Sequence, residues 1–162
     1  MSVDKPGGAD SVVFLHGSAD SRPAESRDTA WPIRGPKALV LVIDDEPQMR
    51  HVTARFLEVL EYRVEKAPNA YVGSALFGLH RDDFAAVILD LKMPGMDGWQ
   101  CLAEIRAIRP DIPVVICSGY EPDVDQLRMS RRHVAFLKKP FGVDDMGAVL
   151  RNLLNESTHR RR

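Results

Sequence analysis

Three short apolar runs each end in charge. Leu39-Val40-Leu41-Val42-Ile43 runs into Asp44-Asp45, Ala85-Ala86-Val87-Ile88-Leu89 into Asp90, and Val134-Ala135-Phe136-Leu137 into Lys138-Lys139. Apolar side chains on consecutive residues, rather than alternate ones, fit strands covered on both faces. Five strands are predicted in all, over 38–43, 63–66, 85–89, 113–117 and 134–137. Between them the apolar spacing becomes helical. Pro47 opens the first helix, where its missing N–H does no harm, and Met49, Val52, Phe56, Leu57 and Leu60 form the inward stripe. Asn69 caps the second, with Ala70, Leu76 and Leu79 inward. Trp99, Leu102, Ile105 and Ile108 mark a third, capped by Asp97 and stopped before Pro110. A weaker fourth spans about 122–129. The fifth runs from about 143 to 154, with Met146, Val149, Leu150, Leu153 and Leu154 apolar. Five strand–helix pairs in succession imply an α/β fold: a (βα)5 doubly wound parallel sheet with right-handed crossovers.

In an open parallel sheet, ligands bind beyond the strand C-termini where the strand order reverses. If the first and third strands are neighbours there, Asp44, Asp45 and Asp90 converge. Three close carboxylates repel one another, and a hard divalent cation relieves that repulsion. Mg²⁺, which takes carboxylates, waters and a phosphate oxygen, fits these loops better than a soft metal, because they hold no His or Cys. Lys139 adds a point charge suited to a phosphoryl oxygen. Ser118, at the tip of the fourth strand, adds a hydroxyl. A metal, a lysine and a hydroxyl around one carboxylate describe phosphorylation of that carboxylate, with Asp90 attacking in line.

Composition narrows the setting. The chain has 162 residues, 44% of them apolar, enough for one ordinary domain plus tails. Residues 1–36, rich in Gly, Pro, Ser, Asp and Ala, read as a disordered extension. A folded domain is expected over 37–156 and a basic tail over 157–162. A net charge of −1 supplies no field for nucleic acid or an anionic membrane. Cys101 and Cys117 lack metal or disulfide spacing, and Cys117 reads as a small buried hydrophobe. Val12-Val13-Phe14-Leu15 is too short for a signal-peptide core, and no run approaches membrane-spanning length. A cytoplasmic location is expected.

The motifs Val42-Ile43-Asp44-Asp45-Glu46-Pro47, Leu89-Asp90-Leu91-Lys92-Met93-Pro94-Gly95-Met96-Asp97-Gly98, Cys117-Ser118-Gly119-Tyr120 and Phe136-Leu137-Lys138-Lys139-Pro140-Phe141 occur in this order, each at a strand end. Over about 38–155 the chain strongly resembles the receiver domain of bacterial two-component response regulators. The resemblance implies the flavodoxin-like strand order 2-1-3-4-5. It implies Asp90 as phospho-acceptor from a kinase phosphohistidine, with Mg²⁺ as cofactor. Asp45, Asp90 and the backbone carbonyl of Lys92 would be the protein's metal ligands, with Asp44 acting through a water. It makes Ser118 the switch hydroxyl, Lys139 the phosphate-sensing lysine before a cis proline, and Phe136 the aromatic switch. Lys92 and Tyr120 flank the path of attacking water. A histidine kinase or histidine phosphotransfer protein is the implied donor. The downstream partner would use the face formed by the fourth helix, fifth strand and fifth helix, with a homodimer among the assemblies that face allows. The segment Met129-Ser130-Arg131-Arg132-His133 lacks the Gly-Ala the family often carries there, which implies a short or irregular fourth helix.

Competing readings leave more unexplained. Asp45 or Glu46 as a mere helix cap ignores Asp90 and Lys139. A hydrolase of the aspartyl-phosphate type needs Asp-x-Asp, but Asp90 is followed by Leu91-Lys92. A flavin module needs a Ser/Thr/Gly-rich phosphate loop, which Asp44-Asp45-Glu46-Pro47 is not. No helix-turn-helix or basic stripe follows the domain, so direct nucleic-acid binding is not expected. The expectation is therefore a stand-alone phospho-accepting signalling domain and not an enzyme beyond its own phosphorylation and dephosphorylation. The alternatives are a receiver-fold scaffold indifferent to phosphate, or the receiver portion of a hybrid kinase.

Overall fold

The structure, a computed structural model, describes residues 14–15, 38–121 and 133–159. Its strands are β1 (Phe14–Leu15), β2 (Leu39–Ile43), β3 (Arg63–Ala67), β4 (Phe84–Asp90), β5 (Val114–Ser118) and β6 (Val134–Lys138). Its helices are α1 (Pro47–Val59), α2 (Ala70–Leu79), α3 (Gly98–Ile108) and α4 (Val143–His159). All strand pairs are parallel, in the order β1-β6-β5-β4-β2-β3. The five strands from β2 to β6 thus carry the order 2-1-3-4-5 and alternate with helices, as expected.

Side chains of successive strand residues enter two separate cores. Leu41, Ile43, Val87, Leu89, Ile116 and Phe136 lie on one face with Phe77 of α2 and Leu102 and Ile105 of α3. Val40, Val42, Ala86, Ile88, Val115 and Leu137 lie on the other with Leu57 of α1 and Met146, Val149 and Leu150 of α4. Burial on both faces is why the central strands β2, β4 and β5 are apolar on consecutive residues, whereas the edge strand β3 (Arg63-Val64-Glu65-Lys66-Ala67) is largely exposed.

Four expectations need correction. Val52 is exposed, and Thr53, Ala54 and Leu57 form the buried side of α1. Leu79 is also exposed: the α2 stripe is Ala70, Gly73 and Phe77, and two residues past Phe77 the helix has turned about 200° away. The last helix continues through His159, into the stretch read as a tail. The extension read as disordered supplies a sixth strand at Phe14–Leu15, paired to β6. The predicted fourth helix and most of the segment before β6 lie outside the described residues.

The capping expectations divide. Asn69 accepts a hydrogen bond from the Val72 amide at 2.9 Å. Asp97 accepts one from the Gln100 amide at 2.9 Å and completes a capping box with the Gln100 side chain. At α1 the N-cap residue is Glu46, whose side chain makes no cap bond. Neither Asp45 nor Glu46 is therefore consumed as a helix cap.

Candidate functional site at the strand tips

The strand order reverses between β2 and β4, each of which delivers acid to the same edge. Ile43 is opposite Leu89 in the ladder, so Asp44 and Asp90 come level one residue later. Ser118 closes β5, and the Lys139 amide donates to its carbonyl at 2.9 Å. Asp44, Asp45, Asp90, Lys92, Ser118 and Lys139 all line one open cavity of about 520 Å³. Phe136, the expected aromatic switch, lies apart from the cavity: it belongs to β6, with its side chain buried in the core shared with α2 and α3.

One ammonium bridges two of three clustered carboxylates. Lys139 Nζ donates to Asp44 Oδ2 at 3.0 Å and to Asp90 Oδ1 at 3.1 Å. Oxygens from Asp44, Asp45 and Asp90 lie within 4.8 Å of one another. Burial raises the Asp90 pKa, Lys139 pulls it back in part, and the charges of Asp44 and Asp45 add to the rise. Burial works to lower the Lys139 pKa, but its hydrogen bonds and charge pairing with Asp44 and Asp90 outweigh that and raise it.

The two adjacent acids are held differently. Asp44 is buried, and its Oδ1 accepts the Glu46 amide at 2.9 Å while its Oδ2 accepts Lys139. Both of its oxygens are thus engaged. Asp45 is half-buried and has no protein hydrogen-bond partner among the described residues. An all-oxygen set with surplus negative charge fits a hard divalent cation.

Several supporting contacts carry no sequence signature. Arg50 of α1 donates to the Asp44 carbonyl at 2.7 Å. Gly98, the first residue of α3, donates its amide to the Leu91 carbonyl at 3.0 Å. A Cβ at Gly98 would overlap the Asp90 carbonyl oxygen and the Leu91 Cα, so only glycine lets α3 start this close to the acidic strand tip. In the loop between them Gly95 has φ of +80°, a conformation that also favours glycine. At the mouth, Lys92 Nζ lies 4.1 Å from the centroid of the Tyr120 ring. The Ser118 hydroxyl accepts the Tyr120 amide at 3.2 Å. The Lys139–Pro140 peptide is cis. Both cysteines are buried free thiols whose pKa values burial pushes up, that of Cys101 to about 11.

Comparison with known proteins gives the same picture. The family model for the response regulator receiver domain matches residues 40–151. The response regulator Rre1 of Synechocystis is 35% identical over 119 residues, spanning 71% of this chain and 51% of its own. The C4-dicarboxylate transport transcriptional regulatory protein DctD of Rhizobium meliloti is 34% identical over 107 residues, spanning 65% of this chain and 23% of its own. The chain therefore spans at most about half the length of these curated relatives. Among solved structures, a response regulator receiver domain protein from Clostridium thermocellum superposes with a TM-score of 0.68 at 29% identity, covering 76% of this chain and 98% of that one. The receiver domain of the hybrid histidine kinase CckA superposes with a TM-score of 0.61 at 28% identity, covering 72% of this chain and 98% of that one. No helix among the described residues is long and apolar enough to cross a membrane. With the matching fold, the acidic strand tips and the family model in agreement, this chain belongs to the response regulator receiver domains of two-component systems, a family of signalling modules rather than enzymes in the ordinary sense.

Proposed function

We propose that this domain accepts a phosphoryl group on Asp90 from the phosphohistidine of a histidine kinase or histidine phosphotransfer protein. A carboxylate oxygen of Asp90 bonds to phosphorus as the phosphorus–nitrogen bond to the donor imidazole breaks, and the electron pair leaves with that imidazole. The observation that carries this reading is the convergence of Asp44, Asp45, Asp90 and Lys139 in one open cavity.

Asp45, Asp90 and the Lys92 carbonyl would hold Mg²⁺ directly, with Asp44 acting through a water. The contacts support that division: Asp44 already serves Lys139 and the Glu46 amide, whereas the Asp45 side chain accepts no hydrogen bond from the described residues. Bound there, Mg²⁺ would supply charge neutralisation for the phosphoryl oxygens. Lys139 would neutralise the same oxygens with its ammonium. Ser118 sits at the cavity wall, where its hydroxyl can turn from the Tyr120 amide toward a phosphoryl oxygen. Phe136 then shifts within the core, and the β6–α4 face changes what it binds. Phosphate acts only through how much better it binds one of two states. A kinase or phosphotransfer donor of this kind supports a cytoplasmic setting for the exchange.

Incubation of the purified chain with acetyl phosphate and Mg²⁺, followed by intact mass measurement, tests the reading. Wild type should gain one phosphoryl group and Asp90→Asn none. Absence of any gain in wild type would favour a receiver-fold scaffold indifferent to phosphate. A further reading, the receiver portion of a hybrid kinase, draws on the sensor kinase CckA of Brucella abortus. That protein is 28% identical over 143 residues, covering 85% of this chain but 15% of its own length.

A further inference from the structure

The outer edge of β6 is occupied by a piece of the chain lying outside the family domain. Phe14 pairs with Phe136 and Leu15 with Leu137, in parallel, whereas the family match begins at residue 40. Without β1, β6 would be the edge strand of the sheet. Its Val134, Ala135, Phe136 and Leu137 are buried, so that edge would offer a ladder of backbone donors and acceptors along four consecutive apolar residues. Such an edge is a template for any extended apolar segment.

The sequence supplies a matching occupant. Val12-Val13-Phe14-Leu15 is the one run of four apolar residues within 1–36, and its β-branched and aromatic members suit a strand. Reach is no obstacle. β1 ends at the C-terminal edge of the sheet, and β2 starts at the opposite edge four positions across. Four spacings of about 4.8 Å and a strand length of about 17 Å are well within the span of residues 16–37 at about 3.3 Å each. A ladder of two paired residues is short for a strand, which makes it exchangeable.

We propose that the segment centred on Phe14–Leu15 is a tethered strand that closes the β6 edge intramolecularly, so that a partner adding an extended segment at this edge must first displace it. The segment is a built-in competitor at an interaction surface, and tethering raises its local concentration above that of a free peptide. The proposal stands independently of phosphate chemistry, since it needs only the strand pairing.

The test uses the full chain, wild type and the double variant Phe14→Pro/Leu15→Pro, which cannot donate to the ladder. Amide hydrogen exchange is read across Val134–Lys138. In the variant, the amides not bonded to β5 should exchange at least about tenfold faster, with the β5-facing amides unchanged as the check on folding. The double variant Phe14→Asp/Leu15→Asp should give the same edge-specific change. A synthetic peptide of residues 10–17 should restore protection to the variants at concentrations that leave wild type unaltered. Equal exchange in wild type and both variants would overturn the proposal. Wild-type protection that fades on dilution would assign the strand to a second copy and overturn its intramolecular character.

Discussion

Lys139 and a bound divalent cation should compete for the same negative charge, and the competition is measurable as stability. In the absence of metal, Lys139→Ala strips the ammonium from two carboxylates that lie at 3.0 and 3.1 Å and are each under a tenth exposed. At an effective dielectric of 20 each contact has a gross attraction of about 5.5 kcal/mol. Removing one partner of a fully buried pair typically costs about 3–5 kcal/mol. Here the cavity is open, and water reaches the abandoned carboxylates, so the expected loss is about 2–3 kcal/mol. For a domain of this size that is a fall of about 8–12 °C in Tm. Saturating Mg²⁺ should replace much of the missing charge. Metal at a hundred times its Kd stabilises by about 2.7 kcal/mol, and the gain should be larger in the variant, where no ammonium opposes it. Thermal unfolding of both proteins with and without Mg²⁺ closes the cycle. An equal Mg²⁺ gain in wild type and variant would refute the shared-charge reasoning. The pH dependence carries an independent sign. Lys139 has its pKa raised from 10.5 in the fold, so its stabilisation is complete below that value and is lost as pH climbs through the folded one. Asp90, also raised from 3.8 and chiefly by burial, gives the same sign in a lower pH window, because the fold disfavours its ionised form. Metal-free stability should decline as pH rises from about 4 through the folded value, and Mg²⁺ should suppress that decline.

Three further outcomes follow from the geometry. Asp45→Ala should abolish measurable Mg²⁺ binding by titration calorimetry, whereas Asp44→Ala should weaken it roughly tenfold, the cost of an indirect partner; the reverse order would mean that the two acids have exchanged roles. Gly98→Ala should destabilise the domain by about 1–3 kcal/mol in urea unfolding, because the new methyl meets backbone that cannot rotate aside; an alanine variant as stable as wild type would remove that contact from the argument. Tyr120→Ala should shorten the lifetime of the phosphorylated domain about 2- to 5-fold, the equivalent of an exposed cation–π contact of about 0.5–1 kcal/mol; mass spectra taken over a decay course would show an unchanged lifetime if Lys92 and Tyr120 do not screen the site.

Much of the site was legible because a parallel sheet turns a one-dimensional pattern into a shared edge. Leu39 to Ile43, Ala85 to Leu89 and Val134 to Leu137 each end in charge, and parallel pairing carries those charges to the same side without any need to know the helices. Residues whose role depends on phase or on close approach were not legible in that way. Val52 and Thr53 differ by one step around α1, and apolarity alone selects the valine, although the small Thr53 and Ala54 are the residues buried. Gly98 reads as an ordinary turn residue after Asp97 until the backbone of Asp90 and Leu91 is seen against it. Arg50 has no periodic relation to Asp44, and its hydrogen bond to that carbonyl exists only because the short connection from β2 sets the first turn of α1 beside the strand tip. β1 is the extreme case. The composition of residues 1–36 argues for chain without a core, and that inference is sound for a segment standing alone. What it omits is that β6 leaves a ready edge, so two residues need bring no core of their own to join the sheet. Composition measures what a segment can bury by itself; the fate of Phe14–Leu15 is decided by an edge more than a hundred residues away in sequence.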